Sequence, residues 1–227
     1  MPRADAKAIK AILITLLVAD AVLIVVHIGL RGPYLSGQSE FIARLYGRFD
    51  LFSDTSIPES FNYAKWVMAA VLSSVAVILT RRWALAGVTL ASLFFLADDA
   101  GQLHERVGLA LGAVPIPDPF DIGEENMWEI VAFAGLGIFV AAALFATWWK
   151  GGTSGRSVIP MLLFAIVGMT VCGVFADGLA MVFFDPDAVN IAYEAVSVFE
   201  DGGELVFISA YCAATFRLLL LALRDAA

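Results

Sequence analysis

The sequence predicts an all-α integral membrane protein built as a bundle of six transmembrane helices. Of its 227 residues, 60% are hydrophobic and only 16% are charged, and the mean hydropathy is +0.84. Soluble domains are closer to half apolar. Several apolar stretches also reach the length of about 20 residues that a helix needs to cross a bilayer. We therefore expect one helical transmembrane domain over residues 1–227 and no soluble domain.

Six apolar stretches are long enough to be spans, and the first begins close to the N-terminus. That first stretch runs from Ala11 to Leu30, which is too long for the apolar part of a typical signal peptide, so we interpret it as a retained helix. The third and sixth stretches exceed one bilayer thickness and must tilt or project. The predicted spans are residues 9–30, 62–80, 83–111, 126–149, 158–183 and 190–222.

Alternate connections carry the positive charge. Basic residues precede the first span, join the second to the third and the fourth to the fifth, and end the sixth; they are Arg3, Lys7, Lys10, Arg81, Arg82, Lys150, Arg156, Arg217 and Arg224. Cytoplasmic connections are enriched in Lys and Arg. We therefore expect both termini to be cytoplasmic, in a bacterial inner membrane. The connections 31–61, 112–125 and 184–189, which are mixed or acidic, should then face the periplasm.

The first outer connection contains an amphipathic segment. Between residues 39 and 52, aromatic and aliphatic side chains recur at roughly helical spacing. A helix of this kind commonly lies in the plane of the membrane interface. The sequence thus predicts a short helix on the outer face, which either gates access from the outer leaflet or caps the bundle.

Acidic residues occur within the predicted spans, where they usually face the bundle interior and have a partner or a function. If the third span is one unbroken helix, Asp98, Gln102 and Glu105 share a face. The sixth span carries four acids within one arc, namely Glu194, Glu200, Asp201 and Glu204. Glu200 and Glu204 are four residues apart, and like charges at that spacing repel each other.

The predicted orientation places most of these acids at one depth. Glu129 of the fourth span and Asp177 of the fifth fall in the same outer half as the acids of the third and sixth. The basic side chains near that level are few, with Lys65 and Arg106 the fixed charges. Since two cations cannot neutralise at least six carboxylates, protons or metal ions must make up the difference.

A metal site is the leading hypothesis. Inward-facing carboxylates with one or two histidines are the ligands of di-iron and di-manganese helical bundles, although the Glu-x-x-His motif of those proteins is absent here. Oxygen-rich ligation favours Mn, Fe(II), Ca or Mg, with Zn a further option. His104 and Glu105 can share an ion only if the helix ends or distorts beside Gly101 or Gly108. The predicted ligands are Asp98, His104, Glu105, Glu129, Glu200 and Glu204.

Such a site suggests a metal-dependent hydrolase or oxidoreductase that acts on a lipid or another apolar small molecule at the bilayer. Glu129 and Asp177 are the predicted acid–base residues. Triad, phosphate-loop and dinucleotide motifs are absent from the sequence, so no organic cofactor and no nucleic-acid partner is predicted. Cys172 and Cys212 lack metal-ligand spacing and are expected to be small buried residues.

Two alternatives remain open. In the first, the acids form a relay for proton- or cation-coupled transport, with Asp20 as its deep step. Against this, the inner half of the predicted bundle has almost no ionisable residue to complete a path. In the second, the protein is a structural or assembly subunit of a membrane complex, and its acids are paired internally or with that partner.

Overall fold

The chain folds into helices throughout the part that the structure, a computed structural model, describes, which is residues 3–53, 55–119, 123–176 and 191–226. We number the helices in chain order: α1 Arg3–Leu35, α2 Glu40–Phe49, α3 Ile57–Thr80, α4 Ala86–Gly101, α5 Leu103–Leu111, α6 Glu124–Lys150, α7 Gly152–Thr170 and α8 Ile191–Ala226. A 3₁₀ turn, Trp83–Leu85, leads into α4, and a π-helical turn, Val171–Phe175, follows α7.

Six of these helices are long and apolar enough to cross a membrane, namely α1, α3, α4, α6, α7 and α8. This confirms the predicted number of spans and their order. The ends of these helices are set by capping residues and prolines, which a hydropathy profile does not detect. The α3 helix begins at Ile57 rather than near residue 62, because Ser56 caps it by accepting a hydrogen bond from the Glu59 amide at 3.2 Å, with Pro58 in the first turn.

The predicted third span is not one helix. α4 ends at Gly101, Gln102 adopts a left-handed conformation with φ of 49°, and α5 then runs in a new direction along α6. Asp98 stabilises this break, because its carboxylate accepts a hydrogen bond from the His104 amide at 3.1 Å in the first turn of α5. The prediction that Asp98, Gln102 and Glu105 share the face of a continuous helix is therefore wrong.

Five of the six spans form a closed ring. α3 packs on α4, α4 on α6, α6 on α7 and α7 on α8, and α8 closes the ring by packing on α3. α1 lies outside the ring against α8. Lipid gives helices little hydrophobic reason to associate, so close packing of small side chains matters more. Ala69, Ala76, Ala91, Ala165 and Ala214 accordingly lie fully buried at these contacts.

Polar contacts distinguish the two ends of the bundle. At one end, Arg224 lies 3.6 Å from Asp5, while Asp225 accepts hydrogen bonds from Arg82 at 2.9 Å and Ser154 at 2.6 Å. We call this the termini end. The short helices α2 and α5 lie at the opposite end, which we call the cavity end. The predicted basic connections thus share one end of the bundle, and their cytoplasmic location stays a prediction.

The amphipathic segment 39–52 does contain a helix, α2, which Ser39 caps. It packs on α1, and its buried Tyr46 accepts a hydrogen bond from Arg31 at 3.0 Å and donates one to Asp50 at 3.1 Å. Arg31 also pairs with Glu194 at the start of α8. Glu194 is therefore engaged at the edge of the bundle, apart from the other three acids of its predicted arc.

Candidate functional site

A cavity of about 350 Å³ opens inside the ring at the cavity end. Residues of α3, α4, α5, α6, α7 and α8, with the turn that follows α7, line it. Its described lining includes no Lys or Arg, and its only imidazole is that of His104. Eight carboxylate side chains line it, namely Glu59, Asp98, Asp99, Glu105, Glu129, Glu200, Asp201 and Glu204.

All six residues predicted as metal ligands line this one cavity, although they come from four helices and are separated by as much as half the chain. Their convergence follows from the ring, which brings α4, α5, α6 and α8 around a common space. Their role as ligands stays a prediction. Asp177, predicted as an acid–base residue, lies outside the described residues, whereas Glu129 lies in the cavity wall.

Asp98 and His104 form a carboxylate–histidine pair in this wall. Nδ1 of His104 lies 3.1 Å from each carboxylate oxygen of Asp98, and Nε2 lies 4.0 Å from Oε1 of Glu105. The hydrogen bond with Asp98 raises the pKa of His104 above its ordinary value, against the opposing effect of burial. Asp98 also fixes the ring, so that Nε2 is the nitrogen left to meet a ligand. Histidines that bind metals are commonly oriented by a carboxylate in this way.

An aromatic layer lies at the inner end of the cavity, next to Asp99. Trp66 donates its indole N–H to Asp99 at 2.6 Å and stacks on Phe95, with ring centroids 4.9 Å apart. Tyr211 packs edge-on against Trp66 and accepts a hydrogen bond from Ser92 at 3.3 Å. Beyond this aromatic layer, toward the termini end, the described core is mainly apolar, with Val88, Leu144, Leu162 and Leu218 among its members, and its buried polar side chains include the hydroxyls of Ser73, Thr147 and Thr215.

Glu204 reaches the cavity across a close contact between α7 and α8. Its carboxylate lies against the backbone of Gly173, where even a Cβ atom would collide with Oε1. Gly173 belongs to the π-helical turn, and one such turn within an α-helix often marks a functional site. One residue earlier, Cys172 packs its sulfur against Gly203 of α8. Both cysteines are buried and unbridged, as expected.

The two cations that could have balanced these acids do not line the cavity. Lys65 is buried between α1, α3 and α8, where its Nζ donates to Asp20 at 3.1 Å and to the Leu205 carbonyl at 2.7 Å. Ser209 donates to the other Asp20 oxygen at 2.6 Å. Arg106 is exposed on α5. Thus Asp20 and Lys65 neutralise each other outside the cavity, and neither of the two fixed cations expected near the level of the acids lines it.

Three of the eight acids were not predicted as ligands. Glu59 precedes the apolar run of α3, so hydropathy placed it outside the span. Asp99 directly follows Asp98 in α4, which turns the two side chains about 100° apart, so the predicted face with Asp98 did not include Asp99, although both line the cavity. Asp201 already lay in the predicted acidic arc of α8. That position is the one sequence signal that could have added it to the predicted ligands.

Comparisons with curated proteins and with solved structures found no match. A match to a protein family does cover most of the chain, over residues 14–218, and takes in every residue that lines the cavity. The chain therefore belongs to the family described as "Domain of unknown function (DUF8692)".

Proposed function

We propose that the cavity binds one or more divalent metal ions and that the protein is a metal-dependent membrane enzyme acting on a lipid or another apolar substrate. One observation carries this proposal: eight carboxylates and one imidazole line a single cavity whose described lining has no Lys or Arg. A lining of that kind attracts cations strongly, and oxygen atoms make up nearly all of its potential ligands.

Repulsion among the carboxylates of the cavity is the reason that we expect a cation there. Two like charges 4 Å apart repel by about 4 kcal/mol at the effective dielectric constant of about 20 that suits sites near a protein surface. Eight ionised carboxylates around a small volume multiply this cost. Protonation of some acids relieves it in part, and a divalent ion held by several of them relieves it more fully. Oxygen ligands with a single nitrogen favour Mn, Fe(II), Ca or Mg, with Zn as a further candidate.

Ion binding requires the side chains to move. Among the described residues, no group of three or more His, Cys, Asp or Glu side chains already surrounds one point at metal distance. The carboxylates of Glu105, Glu129 and Glu200 stand on flexible side chains that can rotate toward an ion. Asp98 and His104 are held in place by each other, so they provide the fixed part of the proposed site.

The proposed chemistry follows from this arrangement. A bound divalent ion would polarise a substrate oxygen or lower the pKa of a bound water, which suits a hydrolase, and an iron or manganese ion would also suit an oxidoreductase. Glu129, in the cavity wall beside α5, is the proposed acid–base residue among those described. We further propose that the cavity end faces the periplasm of a bacterial inner membrane, because the predicted basic connections lie at the other end.

Transport is the weaker alternative for two reasons. Trp66, Phe95 and Ile208 line the inner end of the described cavity, and beyond them the buried core is mainly apolar, with hydroxyls such as those of Ser73 and Thr147 as its polar groups. Asp20, the deep step of a relay, is instead paired with Lys65 and Ser209 outside the cavity. An assembly subunit remains the alternative if no metal binds.

The proposal is tested by thermal unfolding of the purified protein in detergent, titrated with Mn²⁺, Fe²⁺, Ca²⁺, Mg²⁺ and Zn²⁺ after chelator treatment. A ligand at one hundred times its Kd stabilises a protein by about 2.7 kcal/mol. We expect at least one of these ions to raise the Tm of the wild type. Glu200→Gln and Glu204→Gln, which alter the cavity lining, should lose most of that rise.

The matched control is Glu40→Gln. Glu40 is an exposed acid of α2 whose described partner is Arg44 at 2.9 Å, so its loss leaves the cavity unchanged. An equal ion response in all four proteins would mean that the ions bind elsewhere. A wild type whose Tm responds to none of the five ions would contradict the proposal.

A further inference from the structure

A second pocket adjoins the carboxylate cavity on the side of α4, α6 and α7. Its volume is about 80 Å³. Five residues line both spaces, namely Phe95, Asp98, Phe133, Ile166 and Thr170. The two spaces therefore adjoin at the level of Asp98, and an elongated molecule that turns the shared side chains aside would occupy both.

The rest of this pocket is apolar. Beyond the shared residues its lining consists of Phe94, Leu136, Gly137, Val140, Ala141, Leu144 and Leu163. Its two polar side chains lie at the junction, where Asp98 is bonded to His104 and Thr170 donates to the Ile166 carbonyl at 3.0 Å. A water molecule in such a site needs two to four polar partners, which this lining does not offer, whereas a hydrocarbon needs none.

The pocket also reaches the lipid-facing side of the bundle. Gly137, Ala141 and Leu163 are exposed on the surface of α6 and α7, while Val140 and Leu144 are buried behind them. Along α6 the lining extends from Phe133 to Leu144, which at 1.5 Å per residue is roughly 16 Å. A chain within the bilayer can thus enter sideways and lie along the helix toward the middle of the membrane.

We propose that this pocket holds the hydrocarbon chain of a single-chain amphiphile whose polar head lies among the carboxylates of the adjoining cavity. The lining of that cavity also selects the head. Eight carboxylates with no Lys or Arg in the described lining attract an ammonium group and tolerate a hydroxyl, but they repel a carboxylate or a phosphate. The ligand class is therefore a long-chain amine or alcohol. That such an amine or alcohol is the substrate of the protein rests on the proposed function. Binding of its hydrocarbon chain in the pocket needs no metal ion.

The test is photolabelling of the purified protein in detergent with hexadecylamine, hexadecanol and hexadecanoic acid, each carrying a diazirine in its chain. Peptide mapping should place the amine and alcohol labels on the pocket segments of α4, α6 and α7. The acid should label these segments about tenfold less, which corresponds to about 1.4 kcal/mol of weaker binding.

Gly137→Leu supplies the decisive variant, and Gly135→Leu is its matched control. A Cβ atom at either glycine meets no other atom within 4 Å, and both glycines are exposed on α6, but only Gly137 lines the pocket. We expect Gly137→Leu to reduce pocket labelling about tenfold and Gly135→Leu to leave it unchanged. Ala141→Leu provides a second pocket-filling variant if Gly137→Leu does not fold.

Three results would overturn the inference: equal loss of labelling in Gly135→Leu, labels spread evenly over all lipid-facing helices, or, in chelator, labelling by the acid as strong as that by the amine. Labelling is measured once with chelator and once with Mn²⁺. The metal-site proposal and the chain-binding proposal can then be refuted independently of each other. Pocket labelling without any metal binding refutes the metal proposal alone, and metal binding without pocket labelling refutes this inference alone.

Discussion

Neighbouring residues of α3 serve different parts of the molecule. Trp66 points into the ring and bonds to Asp99 in the cavity, whereas Lys65 points toward α1 and α8 and bonds to Asp20. Lys65 is 1% exposed and Asp20 is 0% exposed. Burying such an ion pair costs free energy, because both charges lose their hydration. Here two further hydrogen bonds, from Lys65 to the Leu205 carbonyl and from Ser209 to Asp20, replace part of that hydration.

Removal of one member of this pair should destabilise the fold. We expect Lys65→Met to lower the free energy of unfolding by about 3 to 5 kcal/mol, because it leaves the Asp20 carboxylate buried without its cation. The double variant Asp20→Leu with Lys65→Met should recover most of that loss, because it buries no charge. Chemical unfolding in detergent measures both. A Lys65→Met protein as stable as the wild type would show that the pair is not a structural link.

At the scale of single residues, the sequence was informative about which acids matter and less so about where they point. Depth in the membrane was enough to identify six of the residues that line the cavity, although the helical spacing used for the third span does not hold across the break at Gln102. Glu59 was missed because it lies before the apolar run, where a carboxylate looks solvated. The partner of Lys65 could not be predicted, since a lysine near several acids can turn toward any of them.

At the scale of helices, two local distortions place the site. The break at Gln102 sends α5 along α6 and lets the adjacent His104 and Glu105 meet the same space. The π-helical turn after α7 brings Gly173 against Glu204. Hydropathy predicted the spans well because lipid imposes length and composition on them. It could not predict these distortions, which depend on a capping carboxylate in one case and on close backbone packing in the other.

Adding one methyl group at Gly173 tests whether the close contact between the π-helical turn and Glu204 matters for ion binding. Gly173→Ala should displace the Glu204 carboxylate, the nearest atom that a new Cβ would meet. Because that carboxylate is the free end of a flexible side chain, we expect the fold to persist with a small change in Tm. The ion-induced rise in Tm should fall toward that of Glu204→Gln.

Gly29→Ala is the control for that variant, because a Cβ at Gly29 in α1 meets no other atom within 4 Å and Gly29 does not line the cavity. It should respond to ions as the wild type does. If Gly173→Ala also keeps the full ion response, the position of Glu204 at this turn has no part in binding.

At the scale of the whole molecule, polarity is distributed along the bundle axis. The cavity end holds eight carboxylates around one space, and the described core nearer the termini end is mainly apolar and packed with small side chains. The sequence could predict this division from the depth of its acids. It could not predict that α8 closes a ring by contacting both α3 and α7, because ring closure depends on how buried side chains pack rather than on hydropathy.

We propose that this ring encloses a metal site, and the metal content of the purified protein is the measurement that decides it. Protein purified without chelators, and then incubated with Mn²⁺, Fe²⁺, Ca²⁺, Mg²⁺ or Zn²⁺ and desalted, is measured by elemental analysis. We expect about one or more ions per chain in the wild type and in Glu40→Gln, and less than about a tenth of that in the double variant Glu200→Gln with Glu204→Gln. A wild type that retains none of these ions, or a double variant that retains as many as the wild type, would contradict the claim.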